Sequence, residues 1–470
     1  MRITLSGPRP GRELIRLSQK SMIHDLTTGN VAKELIIFSL PFILSQFLQT
    51  LYGLVDMIII GQFVGHVGLA AVSIGGDMLS MYTFLVVGFA SAGQVIIAQY
   101  VGMGDYESVS RTIGTFSTFI MAMGVFFTAV GFIFGETFLR WLNVPPEAHD
   151  QAYAYTMVCY TGTIFIFGYN IVSAILRGMG DSKTPFVFIA VATAVNVILD
   201  LLFIAVMGLD AFGAALATVT GQAVAFISAV IYLMRKREAF GFDFKLKSFR
   251  IDPSLLKVIL RLGIPMSIQS CAIGFSELVV HSFVNSYGVV AAAVNGVGNK
   301  LGAVARIITG ALHTAGATMV GQNFAARKLD RVSRVAGVIA FISLTFAVIL
   351  SVLMILFPEQ IFSIFDDSPA VLEMAHMYVV IAVVNFMGYA SRSPFIAVIN
   401  GIGHARLSFI IGVIDSFVAR LGIAILLGYV FNMGIMGFWL GGVLGGYAYT
   451  VIGGIYYFSG KWKTRPLAVS

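Results

Sequence analysis

Runs of twenty or more mostly apolar residues recur along almost the whole chain, and that repetition leaves few architectures open. A helix rises about 1.5 Å per residue, so about 20 such residues cross the roughly 30 Å hydrocarbon layer of a bilayer. Hydrocarbon offers no hydrogen bonds, so each crossing must satisfy its own backbone, as a helix does. The short alternating segments of a β-barrel are absent. Charged residues make up only 11% of the chain, against roughly 25% in an average soluble domain. The expected fold is an all-α polytopic membrane protein with twelve transmembrane helices. Spans are predicted near 33–62, 69–103, 108–135, 149–178, 184–206, 211–235, 253–285, 291–325, 331–357, 370–401, 405–428 and 435–459.

The net charge of +7 reports topology here and does not point to nucleic acid. With the N-terminus inside, the cytoplasmic connections hold Arg111, Arg177, Lys183, Lys236, Arg237, Lys245, Lys247, Arg250, Arg327, Lys328, Arg331, Arg334 and Arg406. The outer connections hold Arg140 alone, beside Glu136, Glu147, Asp210, Glu359, Asp366 and Asp367. Both termini are therefore expected in the cytoplasm. Residues 1–32 are basic without an apolar core, which reads as a cytoplasmic arm and not a cleavable signal. Cys159 and Cys271 both fall within spans, without disulfide or metal-ligand spacing.

The chain repeats across its long polar connection. At an offset of 223 residues Gln99 matches Gln322, Val109-Ser110-Arg111 matches Val332-Ser333-Arg334, and Pro146, Gly178 and Gly180 match Pro369, Gly401 and Gly403. Pro41 and Pro265 correspond at an offset of 224 and are expected to kink spans one and seven. Six spans per copy in one orientation make a parallel repeat, the arrangement of carriers that work by alternating access. The expected organisation is an arm (1–32), an amino-terminal bundle (33–235), a cytoplasmic linker (236–252), a second pseudo-symmetric bundle (253–460) and a tail (461–470). A monomer is expected, and its pseudo-twofold repeat favours a carrier, since channels usually close a pore by oligomeric symmetry.

Two carboxylates stand out within the apolar runs. Asp56 and Asp200 lie about six residues before the outer ends of spans one and five, and Thr218 lies at a similar depth in span six. Asn196 is one helical turn before Asp200 on the same face. A carboxylate in hydrocarbon costs at least about 2.5 kcal/mol, and it persists mainly where it binds a cation, carries a proton or lines a cavity. The set can take up H⁺ or bind Na⁺ through carboxylate, amide and hydroxyl oxygens; isolated interhelical hydrogen bonding without transport is the plainer alternative. Asp77 in span two either joins the set or faces an outer vestibule. In the second half, Glu277, Lys300, Arg306, Arg392, Asp415 and Arg420 form a net positive group, for which salt-bridged packing such as Asp415 with Arg420 is the expected role. Glu277 and Asn385 are the candidate substrate contacts there. No Walker A, HExxH, GxSxG or Cys-x-x-Cys motif occurs, so neither an enzyme nor an ATP-driven pump is expected, and no cofactor.

Several local patterns resemble the MATE family of multidrug and toxic-compound extrusion proteins: Pro41 to Asp56 followed by Gly61 and Leu69-Ala70-Ala71, and Leu176-Arg177-Gly178-Met179-Gly180-Asp181 leading to Pro185. The resemblance covers nearly the whole chain after the basic arm. It implies the MATE fold, and a cation site of the archaeal and DinF-like type at Asp56 and Asp200, supported by Asn196 and Thr218, with Asn170 as a further candidate. Where the NorM-like pattern has a glutamate after the span-seven proline this chain has Ile273, which favours the first lobe for the ion. The implied activity is cation-coupled export of amphipathic, often cationic, small molecules from a prokaryotic cytoplasmic membrane, with lipids as the other partner. A lipid-linked oligosaccharide flippase of the same superfamily and a major-facilitator-type carrier are the alternatives. The latter's basic motif is missing from Gly102-Met103-Gly104-Asp105-Tyr106-Glu107.

Overall fold

The computed structural model describes residues 23–142 and 144–469, and within them all regular structure is helical. Most of the basic arm thus lies outside the described residues. Twelve long helical stretches follow in order: α1 (Val31–Phe63), α2 (His66–Met103), α3 (Tyr106–Trp141), α4 (Pro146–Gly178), α5 (Lys183–Val206), α6 (Asp210–Arg235), α7 (Pro253–Asn285), α8 (Val289–Ala325), α9 (Leu329–Leu356), α10 (Pro369–Gly401), α11 (Ala405–Val430) and α12 (Ile435–Phe458). Eleven of them are long and apolar enough to cross a membrane, so the protein is a multi-pass membrane protein. The exception is α8, whose Asn295, Asn299, Lys300 and Arg306 dilute its hydropathy without breaking its 37-residue helix.

Local sequence signals set many helix ends. Asp105 caps α3 by accepting the Ser108 amide at 3.1 Å, Asp181 accepts the Thr184 amide at 3.0 Å as α5 begins, and the His404 ring accepts the Leu407 amide at 3.3 Å as α11 begins. Pro146 and Pro369 open α4 and α10, which have the same length of 33 residues. The internal repeat extends to backbone conformation. Gly65 and Gly288, 223 positions apart, both take left-handed angles before α2 and α8; Gly104 (φ 72°) is matched after α8 by Arg327 (φ 58°). A left-handed residue closes the same corner twice, once without glycine. Helix α3 outruns its predicted end at 135 and continues to Trp141, because Glu136 and Arg140 pair at 3.1 Å across one turn.

The chain divides into two compact units. One comprises Leu44–Val86 and Ile96–Ile259 with the described residues before Thr27; the other comprises Thr27–Ile43, Val87–Val95 and Leu260–Ser470. In the first, α4 lies along α6, where Gly162 and Gly168 of α4 leave room for Val219 and Phe226 of α6 and let the backbones approach. A core of Ile59, Ile60, Val72, Leu139, Tyr155 and Ile204 closes one end. The linker belongs to this unit and is folded onto α3. Thr118 donates to the Phe249 carbonyl at 2.6 Å, Phe240 and Phe242 are buried, and Arg111 pairs with Asp252. Asp252 also accepts the hydroxyl and the amide of Ser254 at 2.6 and 2.9 Å, capping α7.

Those bonds, first from Ser254 and then from Arg111, depress the Asp252 carboxyl to about 2. A depressed carboxylate contributes stability above its unfolded value of about 3.9, and that contribution is lost as pH falls through the folded value. Hydrogen exchange of residues 236–252 is therefore expected to stay slow down to about pH 4 and to quicken between about pH 4 and 2. The Asp252→Asn variant should lose that acid step; an unchanged step in the variant assigns it elsewhere.

In the second unit α8 lies along α10, and α9 along α10. Val280, Val284, Phe362, Tyr378, Phe386, Phe438 and Trp439 belong to one hydrophobic core of this unit. The first turns of the described chain are tied here. Lys328 donates to the carbonyl and hydroxyl of Thr27, both at 2.9 Å, while Arg331 donates to the carbonyls of Thr28 and Gly29 at 2.7 and 2.8 Å. Gln94 reaches the Thr318 hydroxyl at 2.7 Å. Pro41 and Pro265 lie inside continuous helices, and so does Pro394 in α10.

Candidate functional site

The buried polar cluster of the first unit is built from three helices. On α1, Tyr52 and Asp56 are four residues apart and share a face; on α5, Asn196 and Asp200 repeat that spacing. On α6, Thr218 is half-buried and Gly221 faces α5. A side chain at Gly221 would meet the Ala192 carbonyl and the Asn196 Cβ at 3.2 Å, so glycine lets α6 lie close against the Asn196 turn. After Asp200 the helix widens into a π-helical segment, Leu201–Val206. Such segments recur at functional sites because they free backbone groups and re-aim the preceding side chain.

Asp56 is 8% exposed, Asn196 4% and Asp200 0%. Asp56 and Asp200 lie within electrostatic reach of each other, and the Tyr52 phenol is within reach of both. Among the described residues neither Asp200 oxygen has a hydrogen-bond partner, nor does Asp56 Oδ1 or either terminal atom of the Asn196 amide. Buried polar groups are nearly always paired, so this set is poised to accept something. Two carboxylates with neutral amide and hydroxyl oxygens suit a proton or a hard monovalent cation better than a transition metal, which favours imidazole or thiolate. A small cleft opens beside them, lined by Tyr52, Thr193, Asn196, Thr218, Gly221 and Gln222.

The structure thus gathers Asn196 and Thr218 at one cleft, with Asp200 and Asp56 one turn from its Asn196 and Tyr52 walls. Asp77 is exposed on α2, unlike the buried pair. Asn170 turns back on its own helix and donates to the Ile166 carbonyl at 2.9 Å. Tyr52, Thr193 and Gln222 were missed in sequence, although the Tyr52–Asp56 spacing, identical to Asn196–Asp200, was a usable signal.

The second unit uses its charges differently. Arg420 pairs with Asp415 at 3.1 Å and with Glu277 at 3.5 Å, and it donates to the Gly442 carbonyl at 2.9 Å. Arg392 stands 4.0 Å from Asp415 and stacks over the Tyr389 ring at 4.6 Å. The expected Asp415–Arg420 pair is present, and Glu277, a candidate substrate contact, is drawn into it. Asn385 is half-buried on α10 with its amide against Gly302 of α8.

The model of the MatE family matches residues 41–202 and 265–430, one match on each side of the linker. The probable multidrug resistance protein YoeA of Bacillus subtilis is 27% identical over 88% of this chain and 90% of its own length. The probable multidrug resistance protein NorM of Thermotoga maritima is 26% identical over 93% and 94% respectively. Among solved structures, a MATE protein in its bent conformation superposes with a TM-score of 0.84 at 22% identity, covering 96% of this chain and 98% of that one. With its all-helical fold, its internal repeat and a family match on both halves, the chain belongs to the MatE family and is a membrane transporter, not an enzyme.

Proposed function

We propose that the chain exports amphipathic, often cationic, small molecules in exchange for H⁺ or Na⁺. The observation that carries this reading is the buried Asp56–Asp200 pair, three of whose four carboxylate oxygens no described residue satisfies. Two like charges in one desolvated site cannot both persist cheaply, so the pair holds a proton or a cation whenever it is closed. In the cycle we infer, Asp56 and Asp200 take up the ion from outside, with Asn196 and Thr218 completing the oxygen set. Neutralising Asp56 changes what the outer half of α1 tolerates, and α1 shifts, lowering the affinity for cargo. Cargo leaves, and alternating access returns the carrier to release the ion inside. The names of the relatives support multidrug cargo, and the basic connections support cytoplasmic termini. The lipid-linked oligosaccharide alternative predicts basic cavities in both halves, whereas the first unit buries acids.

The test is efflux of a panel of cationic dyes from proteoliposomes under separately imposed Na⁺ and pH gradients. Acceleration by one gradient and not by the other identifies the coupling ion. Dye movement indifferent to both gradients rules out coupled exchange.

A further inference from the structure

We propose that the carboxy-terminal unit contains an oxyanion-binding subsite centred on Arg306, so that the cargo range includes amphiphiles bearing a sulfonate, carboxylate or phosphate group. The inference rests on the export reading above and extends its substrate class. Arg306 lies 17 residues from the start and 19 from the end of α8. At about 1.5 Å per residue it is roughly 25 Å from either end, near the middle of any bilayer the helix crosses. A guanidinium facing lipid at that depth is costly, and snorkelling cannot carry it to either interface. Yet its side chain is exposed and makes no hydrogen bond or ion pair with any described residue. An exposed, unpaired intramembrane arginine belongs on a wall that opens to water.

The surroundings agree. Asn299, Arg306 and His313 recur at seven-residue intervals and so share one face of α8, with Gly296, Ala303 and Gly310 at the same interval beside them. A side chain added at Gly296 would meet nothing within 4 Å, and one at Gly310 only the edge of His313 at 4.0 Å. The face is therefore bordered by open space. Asn299, two turns before Arg306 on this face, bonds His281 of α7 at 3.2 Å, and Arg306 lies within electrostatic reach of that same His281, so polar side chains border the guanidinium. The nearby acids are already engaged, since Glu277 and Asp415 both pair with Arg420. Four cations of this group (Lys300, Arg306, Arg392 and Arg420) stand with two carboxylates; Lys300 lies over the Phe365 ring at 5.2 Å, and Arg306 is left without an ion-pair partner among the described residues. A planar guanidinium in a partly desolvated wall recognises an oxyanion through two parallel N–H donors. Asn299 and His281 can supply further polar contacts to such a group.

The test uses two fluorescent amphiphiles of one ring skeleton, one bearing a sulfonate and the other a trimethylammonium group. Binding to the purified full chain is measured in neutral detergent, and transport in proteoliposomes. Arg306→Gln is expected to weaken sulfonate binding at least tenfold, about 1.4 kcal/mol, and to leave the trimethylammonium probe within twofold. Arg306→Lys, which keeps the charge but loses the second parallel donor, should recover only part of the affinity and controls for misfolding. Competition by added phosphatidylglycerol would make the oxyanion a lipid headgroup, and its failure a soluble amphiphile; the subsite stands in either case. Equal sulfonate affinity in wild type and Arg306→Gln overturns the proposal, as does a wild type that binds only the trimethylammonium probe. Failure of the export reading looks different: neither probe moves in proteoliposomes, while the binding difference persists.

Discussion

Asp200→Asn is expected to abolish ion-driven efflux while leaving the protein as abundant and at least as heat-stable as wild type, and Asp56→Asn should do the same. An amide has nearly the shape of the carboxylate it replaces but can neither take up a proton nor neutralise a cation. No native hydrogen bond is lost, because both Asp200 oxygens and one Asp56 oxygen lack partners among the described residues. The substitution instead removes a charge whose burial opposes folding. Rising or unchanged melting temperature with lost coupling is thus the signature of a functional carboxylate. A structural hydrogen-bonding role predicts the reverse, lower stability with coupling retained. Undiminished efflux in both variants would sink the coupling mechanism.

The second large effect is expected in the other unit. Arg420→Met leaves Asp415 fully buried and Glu277 half-buried without their shared partner and frees the Gly442 carbonyl. Removing one member of a buried ion pair typically costs about 3–5 kcal/mol, because the remaining charge keeps its desolvation penalty. Melting temperature and membrane abundance should both fall sharply. Asp415→Asn should cost less, since Arg420 retains Glu277 and the carbonyl. The double variant Asp415→Leu/Arg420→Met should recover most of the loss if the charges, and not the volumes, are at fault. Wild-type melting in Arg420→Met would mean that the network contributes nothing to stability. The two predictions oppose one another by design: neutralising an unpaired buried acid should be tolerated, and neutralising a shared buried base should not.

Hydropathy and repetition made the helical order legible before any coordinates, because a helix in lipid must be apolar over a known length. The paired prolines and glycines placed matching ends in the two halves, and the depth of Asp56, Asn196, Asp200 and Thr218 along their spans flagged a shared level. Depth, however, says nothing about azimuth. Whether Asp77 or Tyr52 accompanies the buried acids depends on which face of α1 or α2 turns toward α5, and that rotation is set by small residues such as Gly221 at helix contacts. The π-helical turn after Asp200 likewise leaves no mark in a pattern of apolar residues. Nor did the sequence anticipate Glu277 joining Arg420, a pairing across 143 positions that only the packing of α7 against α11 creates.

From residue types alone one learns how often this chain must cross a bilayer, that it does so twice over in related halves, and that some charges stand at costly depths. Which of those charges meet a partner and which are left to bind something else was decided by the tertiary structure. Hydrogen bonds and ion pairs need approach to within about 4 Å, a precision that spacing along a helix cannot supply and that close packing between helices can.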